Sequence, residues 1–167
     1  MQEAIERIYW DHRQGLYTLA LAITRCPARA EDAVQEAFAR LWSTQARPGG
    51  DPTAYAFAAV RNAAIDQVRR KEPATCGPEA ASIFASDAPD PAYDAIASER
   101  QRNVRDAVDA LPEAEREVVV MKIYSGLTFE QIAQALAEPL PTVASRYRRA
   151  LEKLSRRIRT GEVNSHA

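Results

Sequence analysis

Residues 111–154 read LPEAEREVVVMKIYSGLTFEQIAQALAEPLPTVASRYRRALEKL, and this stretch decides the fold. Leu111-Pro112 opens a helix with Glu113 and Glu115 in its first turn, where acidic side chains complement the helix dipole. Val118, Val119, Met121 and Ile123 continue it, and Gly126 supplies the left-handed residue that closes such a helix. Thr128-Phe129-Glu130-Gln131 then matches a capping box, Thr128 as N-cap and Gln131 reaching back to it, with Leu127 and Ile132 placed as a hydrophobic staple. A short helix comes next, turning Ile132, Ala133 and Leu136 inward, and stops before Pro139-Leu140-Pro141. A longer helix from near Pro141 to about Arg157 puts Val143, Tyr147, Leu151 and Leu154 on its buried side. Two helices joined by a tight turn, the second cationic, describe a helix-turn-helix, and the small Ala133 suits their close crossing.

In such a unit the second helix lies in the major groove and residues near its start meet base edges. Thr142, Ser145, Arg146 and Arg149 fall there, Arg148 belongs to the same DNA-binding set, and Lys153, Arg156 and Arg157 suit phosphate. The net charge of -1 carries no hint of nucleic acid. The distribution does, because from Pro141 onward seven Lys and Arg side chains face only Glu152 and Glu162. The bland alternative is a helical hairpin with a solvated basic face.

Outward from this motif the periodicity remains helical, and no strand is read. A first helix covers 3–25 and Pro27 interrupts it. The next, 30–42, sets Val34, Phe38, Leu41 and Trp42 on one face and leaves Asp32, Gln35, Glu36 and Arg40 largely outside it. Residues 47–52 form a loop, after which Asp51 caps and Pro52 starts a helix running to about Lys71. Its apolar face carries Phe57, Ala64, Ile65 and Val68; its other face carries Tyr55, Asn62, Asp66 and Arg69. Between Pro73 and Pro91 proline, alanine, serine and aspartate dominate and periodicity is lost, as expected of a flexible linker. Helical spacing resumes with Tyr93, Ile96, Val104, Val108 and Leu111. The expected architecture is therefore all-α, with small helical domains at 1–72 and 92–167 and an acidic linker at 73–91.

Several classes fall away. Cys26 and Cys76 lie far apart, and His12 and His166 add no ligand spacing, so no metal site or cofactor is expected. His12 falls on the stripe Ile5, Ile8, Leu16, Leu19, Ile23, where a packed core histidine is the plainer reading. No nucleophile has a matching base and no glycine loop cradles phosphate, so no catalytic residue is expected and the chain does not read as an enzyme. Without a 20-residue apolar run or a basic-then-apolar start, it is expected in the cytoplasm, with no membrane insertion.

The same residues resemble bacterial RNA polymerase sigma factors of the extracytoplasmic-function group, over nearly the whole chain outside the linker and tail. Leu111-Pro112 through Arg116, Gly126-Leu127-Thr128, Glu130-Gln131-Ile132-Ala133 and Thr142-Val143-Ala144-Ser145-Arg146 are similar to the domain that reads the minus-thirty-five element. Residues 30–38 with Leu41-Trp42 resemble the polymerase-binding helix, and residues 61–66 with Arg69-Arg70 the minus-ten helix. The resemblance implies core RNA polymerase as partner, through the largest subunit's clamp helices and the flap, with Asp32, Gln35, Glu36 and Arg40 docking. It implies promoter DNA as the second partner. Arg61, Asn62, Asp66, Arg69 and Arg70, with the loop 45–53, would hold the minus-ten element. Thr142, Ser145, Arg146, Arg148, Arg149 and Lys153 would hold the minus-thirty-five element. It also admits an anti-sigma protein that clamps both domains. At this level a polymerase-independent helix-turn-helix regulator stays open as the alternative, although no spare dimerisation helix is seen for it.

Overall fold

The computed structural model describes residues 2–44, 49–70 and 95–164, apart from the side chains of 2, 95–98 and 161–164. The expected linker 73–91, residues 45–48 of the loop 45–53, and the side chains of Lys71, Cys76, Tyr93, Ile96 and His166 lie outside the described residues. Among those described there are seven α-helices, one π-helical turn and no strand.

Three helices build the N-terminal lobe: α1 (Gln2–Thr24), α2 (Pro27–Ser43) and α3 (Pro52–Arg69). Pro27 starts α2 instead of merely breaking α1. At a first helical position its missing N–H costs nothing, and its ring holds Cys26 extended at φ -144° and ψ 116°. Helix α2 buries Ala30, Ala33, Val34, Ala37, Phe38 and Leu41, an uninterrupted three-four spacing. Asp51 caps α3 as expected, its Oδ1 accepting from the N–H groups of Thr53 at 2.8 Å and Ala54 at 3.1 Å. The alanines of these helices let all three cross closely, so Leu16, Leu19, Phe38, Phe57 and Val60 are almost wholly buried. His12 is half-buried and packs edge-on to Phe57, centroid to centroid 5.7 Å, as the core reading expected. Val68 departs from its expected apolar face and is exposed. In that last turn of α3 the inward place belongs to Gln67, whose amide donates to Glu36 Oε2 at 3.2 Å.

The C-terminal lobe comprises α4 (Ala95–Asp109), α5 (Glu113–Val119), the π-turn (Val120–Tyr124), α6 (Phe129–Leu136) and α7 (Leu140–Asn164). The sequence reading runs a single helix through Ile123. Instead, Ser125 N–H donates to Val120 O at 3.2 Å across the widened turn. The extra residue rotates the end of the helix and leaves Ile123 exposed. Gly126, at φ +66°, then lets Leu127 N–H reach back to Met121 O at 3.1 Å. The capping box is formed in both directions: Gln131 N–H donates to Thr128 Oγ1 at 3.1 Å and Thr128 N–H donates to Gln131 Oε1 at 2.9 Å. Leu127 and Ile132 are buried beside it. Helix α7 begins one residue earlier than expected and runs past Arg157. Its inward stripe is Val143, Tyr147, Ala150 and Leu154; Leu151, expected inside, lies one position off that stripe and is exposed.

The lobes are packed on each other. Helix α3 lies on α6, and α1 lies on α5 and the π-turn. One cluster of buried apolar side chains runs without a break from Leu16 and Phe57 to Val118 and Ile132.

Candidate polymerase and promoter interfaces

On α2 the outward side chains Asp32, Gln35 and Arg40 are exposed, as the amphipathic spacing required. Glu36 is the exception among the expected docking residues. It is half-buried, and its carboxylate accepts from Arg40, from Gln67, and from Arg70 Nη2 at 3.0 Å. An acid one turn from Arg40 was legible; its capture by Arg70 on α3 needed the fold. Beside this face an edge-to-face aromatic series, Trp10–Tyr9–Phe38–Trp42, ends in two exposed tryptophans. Trp10 was not singled out from the sequence, where it lay outside the core stripe of α1.

On α3 the expected minus-ten residues are divided. Asn62, Arg69 and Arg70 are exposed, and Asp66 is half-buried. Arg61 points the other way, toward the second lobe, and its Nε donates to Glu117 Oε2 at 2.6 Å. The Glu117 side chain is only 3% exposed. Burial pushes its carboxyl above the ordinary carboxylate range, and the Arg61 hydrogen bond and charge pull it part of the way back. Glu117 was not singled out from the sequence. The signal available was that it shares its stretch with Val118, Val119 and Val120, an apolar run with no wet side.

On α7 the expected minus-thirty-five residues sit at and after the start of the helix. Thr142 and Ser145 are half-buried, Arg148 and Arg149 exposed. Arg146 Nη2 donates to Glu138 at 2.9 Å, in the turn between α6 and α7, and Lys153 Nζ donates to both oxygens of the buried Glu115 at 2.8 Å. Arg148 and Arg149, like the exposed Arg156 and Arg157 further along α7, form no ion pair among the described residues. In the same lobe Arg116 is buried and its Nη1 donates to the carbonyls of Asp109 and Leu111 at 3.2 and 3.0 Å, tying the end of α4 to α5.

Among the described residues no helix is long and apolar enough to cross a membrane. The geometry is that of a helical protein with a helix-turn-helix in one lobe and a polar, aromatic-flanked helix in the other, which defines a DNA-reading subunit of the sigma-70 type. Sigma-70 region 2 matches residues 8–73 and Sigma-70 region 4 matches residues 101–154. The chain belongs to the extracytoplasmic-function group of RNA polymerase sigma factors, alternative factors that bind core polymerase and direct initiation at specific promoters. It is 29% identical to the ECF RNA polymerase sigma factor SigK of Mycolicibacterium vanbaalenii over 161 residues, 90% of this chain and 81% of that protein. Among solved structures it is similar in fold to the sigma factor RpoE of Bartonella quintana in complex with the anti-sigma factor NepR, with TM-score 0.66, 19% identity, and 95% and 98% of the two chains covered. It is also similar to CnrH in complex with the cytosolic domain of CnrY, with TM-score 0.63, 21% identity, and 93% and 87% covered.

Proposed function

We propose that the division of labour within this sigma factor follows its three exposed faces. Asp32, Gln35 and Arg40 dock α2 on the clamp helices of the polymerase largest subunit, with Glu36 fixing the junction between α2 and α3, and Trp10 and Trp42 extend that contact. Asn62, Arg69 and Arg70, joined by Arg61 and Asp66, hold the minus-ten element. A base turned out of the stack costs a few kcal/mol, which cationic backbone contacts and a base pocket must offset. Thr142, Ser145 and Arg146 read bases at the minus-thirty-five element while Arg148, Arg149 and Lys153 hold phosphate. The C-terminal lobe rests on the polymerase flap. On this reading the domains are 1–72 and 92–167, with 73–91 as their tether.

The observation that carries this reading is the pairing of an exposed polar face on α2 with a capped helix-turn-helix whose outer arginines are exposed. No covalent chemistry is assigned to the chain; the polymerase catalyses, and the place of work is the cytoplasm. By likeness to proteins solved with anti-sigma factors, an anti-sigma partner that covers both lobes is part of the proposal. Run-off transcription with purified core enzyme and mapped start sites tests it. A defined start dependent on the chain is expected, with Asp32→Ala weakening core binding and leaving stability within about 0.5 kcal/mol. Failure to bind core at micromolar concentration would reject it.

A further inference from the structure

We propose that Cys26 and Cys76 form a reversible disulfide that shortens the tether between the lobes and so makes promoter reading sensitive to oxidants. The effect on transcription rests on the sigma-factor reading; the bond itself does not.

Cys26 occupies the corner between α1 and α2. It is the N-cap residue of α2, is 3% exposed, and is held in a disulfide. The chain has one other cysteine, Cys76, so that is the partner a bond within the chain requires. The backbone at the corner is fixed: Arg25 stands at φ 55°, Thr24 Oγ1 donates to Cys26 O at 3.1 Å, and Pro27 follows. Cys76 comes six positions after Arg70, the C-cap of α3. Arg70 meets α2, where its Nη2 donates to Glu36 Oε1 at 3.0 Å. Glu36 lies ten positions after Cys26, which is about 15 Å along the helix at 1.5 Å per residue. Six extended residues reach about 20 Å. The packing of α2 on α3 thus reduces a long sequence separation to a gap that the chain can bridge with α3 intact.

In the cytoplasm, the compartment proposed above, thiols are kept reduced, so a disulfide there acts as a sensor and not as a staple. The oxidant is a hydroperoxide. With hydrogen peroxide, one thiolate attacks an oxygen, the O–O bond breaks, and the sulfur becomes a sulfenic acid as the first water leaves. The other thiolate displaces the hydroxyl from that sulfur, which forms the S–S bond and releases the second water. Two thiols lose two electrons and two protons, and one peroxide is reduced to two waters. A low-molecular-weight thiol reverses the bond by exchange.

Residues 71–94 join α3 to α4. Closing the bond leaves 77–94 to separate the lobes and moves their starting point to the α1–α2 corner. The fully extended reach falls from about 80 Å to about 60 Å. For a coil-like tether, holding the lobes at a set separation costs free energy in inverse proportion to the number of residues. A quarter fewer residues raises that cost by about a third. Reading both promoter elements at once requires such a separation, whereas gripping core polymerase through α2 does not.

The full chain tests both halves of the proposal. Thiol titration of the unfolded chain should count two thiols after reduction and none after hydrogen peroxide, with peptide mapping giving a link between Cys26 and Cys76 in a monomer. The peroxide is then removed before core is added. The oxidised chain should bind core within about twofold of the reduced one but start run-off transcription several-fold less often, and a reductant should restore it. Cys76→Ser, which leaves the N-cap of α2 untouched, should transcribe equally before and after peroxide. Two thiols that persist in excess peroxide, or a link between chains, overturn the bond. A bond within the chain that leaves transcription unchanged, or a loss that Cys76→Ser shares, overturns the switch. If no form binds core, the sigma-factor role assignment fails, and the thiol count still judges the bond.

Discussion

Asp51 shows how much one side chain can carry. One carboxylate oxygen closes the start of α3 and the other holds Gln131 of the C-terminal lobe. Desolvation alone would raise its pKa, but the hydrogen bonds from Gln131, Ala54 and Thr53 outweigh that and leave it lowered. A depressed folded value means stability that is complete above the ordinary value of 3.8 and is lost as pH falls through the folded one. Replacing Asp51 by Ala removes both functions and is expected to cost about 1–2 kcal/mol, whereas Asn, which still caps, should cost less than half of that. Urea unfolding that shows a lowered midpoint at unchanged slope checks it. The Asp51 cap was legible because Asp-Pro at a helix start is a local signal; its bond to Gln131, 80 residues away, was not.

Among the elements, α6 and α7 are the ones whose sequence speaks most clearly. Thr128 and Gln131 are three residues apart, and every atom of the capping box lies within one turn. The C-terminal end of α6 is less well made. Ala137 stands at φ 53° and ψ 41°, a left-handed position where a Cβ is strained. Ala137→Gly should therefore stabilise the chain by about 0.5–1 kcal/mol, after the extra unfolded-state entropy of glycine is counted, and thermal melting should show it. Helix α7 supplies a second test. Arg148 and Arg149 are exposed, whereas Arg146 and Lys153 already have carboxylate partners. Replacing Arg148 or Arg149 by Ala should lower the salt dependence of holoenzyme binding to promoter by about one unit of slope each. Arg146→Ala should do so less and should change sequence preference. The π-turn ahead of α6 had no signature of this kind, because Val120–Tyr124 reads as ordinary amphipathic helix until the packing of α1 against it is known.

For the molecule as a whole, the buried Arg61–Glu117 pair makes stability depend on pH in a definite direction. Burial holds the Glu117 carboxyl above its ordinary 4.5 in the folded chain, with Arg61 offsetting only part of the shift. The folded chain thus binds a proton there more tightly than the unfolded chain does. From this group alone, stability falls as pH rises through the elevated value and is at its fullest below the ordinary one. Urea midpoints measured against pH above 4.5 should carry that decline, and Glu117→Gln should remove it. The sequence by itself determined the helices, their caps, the helix-turn-helix and the polar face of α2, because those depend on short spacings, from one turn of helix to about three. Only the tertiary structure decided that Arg61 meets Glu117 across 56 positions and Arg25 meets Asp109 across 84, and so which candidate residues stand exposed. Periodicity reports which side of a helix avoids water. It does not report which other helix covers that side, since any apolar stripe of suitable width satisfies the same hydrophobic demand.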